Sequence, residues 1–199
     1  MPGVKAPEEE RRAQILTAAA AVASAERLDG LTVRKVADRA GLSAGLVHFH
    51  FGTKEQLLLA LLDEVLEEVT GRRPPETAAG APSARDALLD YARRELGRLP
   101  AEREAVELFF DFWVVGTRHP VVRERMVSAM TAYRASFRPI AERIVAEEPD
   151  RFVGVSADQV ARIIVAFVEG TAFQGVLEPG DFDVDATMKA LEALVPPPR

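Results

Sequence analysis

The sequence predicts an all-α fold of about nine helices, with three short helices at the N-terminus ahead of a larger helical domain. Apolar residues recur at helical offsets through most of its length, and nothing alternates with period two for long enough to make a strand. Glycine, proline and short hydroxyl or carboxylate residues fall where those helices must begin and end.

In the first helix, Glu9 to Ala25, Ile15, Ala18, Ala19 and Val22 form one apolar stripe, and Gly30 stops the run. Residues 1–8 are expected to form a disordered tail. Thr32 offers an N-cap oxygen to a second helix carrying Val33, Val36, Ala37 and Ala40, which Gly41 ends. Ser43 caps a third, Ala44 to Phe51, broken by Gly52, and Thr53 caps a fourth from Lys54 to about Val69. Gly71 to Pro82 (GRRPPETAAGAP) reads as a linker. Ser83 opens a fifth helix to about Leu99, and Ala101 to Arg118 reads as a sixth. A seventh starts at Pro120, is expected to kink at Pro139 and stops near Glu147, ahead of Pro149. Ser156 caps an eighth to about Leu177, and Asp183 opens a short ninth before the PPPR tail.

Two helices are apolar nearly all round, Val106 to Val115 and Val160 to Val168, so both need cover on every side. The first is expected at the centre of the larger domain. The second lies where little chain is left to cover it, so a second subunit is the natural source.

The 199 residues are 48% apolar, enough for a core, and contain no cysteine, which removes disulfide scaffolds and thiol catalysis. The opening MPGVKAPEEERR is charged and proline-containing, so no signal peptide is expected, nor any apolar run that spans a bilayer; the expectation is a cytoplasmic protein without a membrane partner. Net charge is −6, yet residues 1–60 hold eight positive against seven negative charges. An anionic partner therefore belongs at the N-terminal end.

Three short helices with a tight glycine turn between the second and third describe a helix-turn-helix, whose third helix enters the major groove of double-stranded DNA. Val36, Ala37, Leu42, Val47 and Phe51 form the inward set. Ser43 stands at the positive end of the third helix, where a phosphate is stabilised; Thr32 and Ser43 are helix caps first and phosphate contacts second. Ala44 and Gly45 are small enough for close approach to base edges, and Leu46 can meet a thymine methyl. His48, Phe49 and His50 are the bulky outward set, with core packing the alternative for Phe49. Two residues apart on a helix, His48 and His50 point about 200° from each other, so no metal site is expected. FGTKEQ lacks the glycine spacing of a phosphate loop, and no cofactor is expected.

Over roughly residues 9–66, TVRKVADRAGLSAGLVHFHFGTKEQLL closely resembles the signature of TetR-family repressors. The resemblance implies phosphate anchoring by Lys54 and a base or phosphate contact from Arg34. It also places His48 where the family usually has tyrosine, so an imidazole donor replaces a phenol. FDFWVVGTRHPVVRERM followed by a long helix is similar to the family's choline-sensing branch. From the family come three further expectations: a homodimer through roughly residues 156–194, in which the eighth and ninth helices form a four-helix bundle with their mates; a cavity among helices four to eight; and a small-molecule effector in it. The implied domains are 1–52 for DNA binding and 53–199 for effector binding and dimerisation.

Candidate pocket residues are Tyr91, Phe109, Phe110, Asp111, Phe112, Trp113, Tyr133, Phe167, Glu169 and Gln174, since aromatic rings beside a carboxylate suit an organic cation. Core packing is the alternative for each aromatic. Glu104, Glu107 and Asp111 share a stripe that either presents acid to a cation or faces water. No Ser-His-Asp, Cys-His, metal-spaced or paired-carboxylate arrangement stands out, so an enzyme is not expected; the resemblance implies a ligand-responsive transcriptional regulator, a repressor released from a palindromic operator.

Overall fold

The computed structural model describes residues 7–71, 83–195 and 197. Among them are nine helices and no strand: α1 (Glu8–Gly30), α2 (Val33–Ala40), α3 (Ala44–Phe51), α4 (Lys54–Thr70), α5 (Ala84–Gly116), α6 (Pro120–Ser136), α7 (Arg138–Glu147), α8 (Ala157–Leu177) and α9 (Val184–Leu194). The expected tail, apart from Pro7 and Glu8, and the expected linker, apart from Gly71, lie outside the described residues.

The chain divides into two compact units, one within Met1–Val69 and Glu107–Met126, the other within Thr70–Val106 and Val127–Arg199. In the first, the α1 stripe of Ile15, Ala18, Ala19 and Val22 is buried, as are Val36 and Ala37 of α2, Val47 and Phe51 of α3, and Leu57, Leu61, Leu62 and Val65 of α4. Each large aliphatic side chain removed from water this way contributes roughly 1.5–3 kcal/mol. Near the end of α1, Arg27 has φ 64° and ψ 169°, a conformation that side chains rarely adopt. Its guanidinium pairs with Asp111 at 3.2 Å.

The second unit holds two apolar clusters. Tyr91, Tyr133, Phe137, Ile140, Ile164 and Val165 belong to one, and Leu89, Ala92, Leu96, Met188 and Leu191 to the other. Glu147 accepts from the Ala84 N–H at the start of α5, at 2.9 Å. A reciprocal Ser156–Gln159 box caps α8, and Asp183 caps α9. At Gly175 α8 approaches its neighbours closely, since a Cβ there would lie 2.3 Å from Leu99 Cδ2.

Four expectations are corrected. The fifth and sixth helices are one, because α5 runs through Pro100 without ending. Proline removes one helical hydrogen bond, but Leu96 and Leu99 before it and Ala105 and Leu108 after it are all buried, and that burial outweighs the lost bond. The expected seventh helix is two: the chain breaks at Phe137, and Pro139 sits in the first turn of α7, where its missing N–H costs no bond. Residues 107–115 are not wrapped on all sides within the larger C-terminal part: they belong to the first unit, with Trp113 52% and Val114 63% exposed. Apolar composition sets how much surface needs cover, not which neighbour supplies it.

The fourth concerns α8, which by length and composition is apolar enough to cross a bilayer, contrary to the expectation that no such run exists. Only 33% of that stretch is buried within the chain. The match to a membrane span is one of length and composition alone.

Candidate nucleic-acid interface

The pairing of α2 and α3 is fixed by local chemistry. Thr32 Oγ1 accepts from the Lys35 N–H at 3.3 Å, and Ser43 Oγ accepts from the Leu46 N–H at 3.2 Å. Between the helices Gly41 adopts φ 67° and ψ 32°, a left-handed turn that glycine enters without steric cost. The Leu42 N–H donates to the Ala37 carbonyl at 2.9 Å and closes the turn. After α3, Gly52 takes φ 71° and ψ −86°, and Thr53 and Gln56 cap each other to start α4.

Two residues that periodicity does not single out tie α1 to these helices. Gln14 Nε2 donates to the Ala40 carbonyl at the end of α2 (2.8 Å), and Arg12 Nη1 donates to the His50 carbonyl near the end of α3 (2.6 Å). The Arg12 guanidinium also lies 4.3 Å from the centre of the Phe51 ring. A cation on the last carbonyls of a helix and over an aromatic face is favourable twice, electrostatically and by stacking. The sequence signal was the charge itself, read only as part of a local balance.

With Val47 and Phe51 buried, the exposed face of α3 consists of Ala44, Gly45, His48 and Phe49. Ser43 at its N-terminus, Thr32 and Arg34 on the α2 side, and Lys54 opening α4 are exposed too. Phe49 is 80% exposed, which excludes the core alternative. Leu46 and His50 are half-buried and lie beside that face, not on it. His50 Nδ1 is buried without a hydrogen-bond partner. His48 Nδ1 lies 2.7 Å from the Gly52 carbonyl.

The pocket candidates do not form one group. Phe109 and Phe112 are buried, Phe110 is half-buried, Trp113 is exposed and Asp111 is held by Arg27, all in the first unit. In the second, Tyr91 and Tyr133 are buried with their hydroxyls 2.9 Å apart, and burial followed by the neighbouring Tyr133 raises the Tyr91 phenol well above its usual value. Glu169 is half-buried; desolvation holds its carboxyl above the usual range, only partly offset by Arg134. Phe167 and Gln174 line a groove of about 460 Å³ between α8 and α9, with Gly170, Ala186 and Ala190.

The family model for bacterial regulatory proteins of the tetR family matches residues 15–61, and that for the C-terminal domain of BetI-type transcriptional repressors matches residues 82–196. The HTH-type transcriptional regulator BetI of Burkholderia thailandensis is 25% identical over 179 residues, covering 90% of this chain and 88% of the relative. Among solved structures, a transcriptional regulator from Rhodococcus sp. Rha1 superposes with a TM-score of 0.73 at 24% identity, covering 92% of each chain. A Saccharomonospora viridis protein in complex with choline gives 0.73 at 19% identity, covering 94% of this chain and 96% of that one. With a capped helix-turn-helix and a matched C-terminal domain in one chain, the protein belongs to the TetR family of bacterial regulatory proteins, in the branch with a BetI-type C-terminal domain.

Proposed function

We propose that this chain is a ligand-responsive transcriptional repressor that holds a palindromic operator as a homodimer in the cytoplasm, releases it when a small molecule binds, and catalyses no reaction. One observation carries the reading: α3 buries Val47 and Phe51 and leaves Ala44, Gly45, His48 and Phe49 exposed. Small residues at the helix start admit base edges, and the bulky pair follows one turn later. Thr32, Arg34, Ser43 and Lys54 supply the flanking phosphate contacts, with Leu46 and His50 at the margin. Residues 1–52 are the reader and 53–199 the effector and dimer domain.

The homodimer is assigned to residues 156–194. Supporting this, α8 leaves Ile163 70% exposed, and the α8–α9 groove is floored by glycine and alanine, which let another helix approach. The two reading helices must then lie about 34–36 Å apart, or one further turn, to reach successive major grooves. Effector binding changes that separation through its differential affinity for the two states. The effector is assigned as an organic cation, a class that aromatic rings beside a carboxylate suit; the BetI-type match and the choline-bound structural neighbour support it.

The test is Lys54→Ala, compared with the parent for retention of duplex DNA and for helicity and thermal midpoint. Lost retention with folding intact supports the reader. Unchanged retention on every duplex overturns it.

A further inference from the structure

We propose that His48 binds a DNA phosphate through Nε2 and only as its imidazolium, because its Nδ1–H is committed to the Gly52 carbonyl. The inference rests on the DNA-binding reading and adds the protonation state of one contact.

The Gly52 carbonyl can only accept, so the 2.7 Å contact requires that His48 Nδ1 carry the hydrogen. A neutral imidazole has one N–H. With it committed to Gly52, Nε2 presents a lone pair, and a phosphate oxygen facing it would meet acceptor against acceptor. Protonation puts a second N–H on Nε2, and the same ring becomes a charge-assisted phosphate donor without changing its bond to Gly52. A tyrosine in this place would donate at any physiological pH; histidine does so only in its charged form.

The surroundings leave the ring available. His48 is exposed, and among the described residues no carboxylate pairs with it. The charged groups on the elements packed about α3 include the acidic first turn Glu8, Glu9 and Glu10 with Arg11 and Arg12 on α1, Arg34, Lys35, Asp38 and Arg39 on α2, and Lys54 and Glu55 on α4. Arg12 is committed to the His50 carbonyl and Arg11 to Gln14. On α3 itself the other titratable group is His50, which lies about 200° round the helix from His48. The dense negative charge of a duplex therefore becomes the dominant field on His48 during docking, and it favours the charged ring.

The experiment measures the affinity of the full chain for a fluorescein-labelled duplex enriched by selection on this protein, by anisotropy, from pH 5.5 to 8.5 at fixed salt. Imidazoles titrate in that window. The expected result is an affinity that falls as pH rises, steepening toward tenfold per pH unit for each His48 engaged. His48→Tyr should flatten the profile and bind better than the parent at pH 8.5, while His119→Gln keeps the parent's slope. If His48→Tyr folds poorly by circular dichroism, His48→Gln, which has no titrating group, takes its place and should also be flat. A pH-independent parent, or a slope that survives replacement of His48, overturns the proposal. Failure of the parent to retain any duplex at any pH overturns the DNA-binding reading instead.

Discussion

The joint between α3 and α4 turns on Gly52, and replacing it with alanine should cost far more than the same change at Gly41. Both glycines have positive φ, but their surroundings differ. At Gly41 the backbone is left-handed helical, and a Cβ would meet nothing within 4 Å. Gly41→Ala therefore carries only the left-handed penalty, about 1 kcal/mol. At Gly52 the Thr53 N–H donates across the glycine to the Phe51 carbonyl at 2.9 Å, closing a three-residue turn at φ 71° and ψ −86°. A side chain in that turn costs on the order of 1–3 kcal/mol in backbone strain. Its Cβ would also stand 2.1 Å from Gln56 Oε1, the atom that accepts from the Thr53 N–H at 3.0 Å. Moving Gln56 away gives up half the cap of α4, about another 1 kcal/mol. Gly52→Ala should thus destabilise by about 3 kcal/mol and lower the thermal midpoint by roughly 6–12 °C, against roughly 2–4 °C for Gly41→Ala. Thermal unfolding followed by circular dichroism at one fixed protein concentration measures both. Equal costs at the two glycines would refute the reasoning.

Further outcomes follow from single contacts. Arg27→Gly should raise stability by about 1 kcal/mol in urea titration, because relief of a strained φ outweighs an exposed ion pair worth less. Arg12→Ala should destabilise by about 1–3 kcal/mol, as it removes a charge-assisted bond to α3 and a stacked ring. At Glu169 the folded-state carboxyl titrates above its unfolded value, so the native state holds more protons between the two, and stability falls as pH rises through that window. Glu169→Gln should therefore have a higher urea midpoint than the parent at pH 7, with the gap closing below about pH 4. A Cβ at Gly170 would meet no neighbouring atom within 4 Å, so Gly170→Glu should leave the subunit folded and shift sedimentation toward monomer.

Local chemistry was legible in the sequence, and long-range contact was not. Thr32, Ser43, Thr53, Ser156 and Asp183 all cap as their positions suggest, because a cap and its N–H lie three residues apart. Pro139 was legible as an interruption, though its tolerance in a first turn moved the break to Phe137. Pro100 was misleading because burial on both sides of it decides whether the helix continues. Arg12 and Gln14 reach carbonyls 38 and 26 residues away, a distance no periodicity reports. On α3, Leu46 and His50 are half-buried, a partial cover that spacing along one short helix does not report. Asp111 looked like a carboxylate for a cation, and it is held by an arginine 84 residues earlier.

The central claim is that α3 reads duplex DNA as one of a symmetric pair. It is tested most directly by selecting randomised duplexes with the purified protein at moderate salt and sequencing those retained. The account predicts enrichment of a palindrome whose half-sites are centred about one helical turn apart or one turn more. Recovery of no motif across a range of salt concentrations, from protein shown to be folded and dimeric, would contradict it.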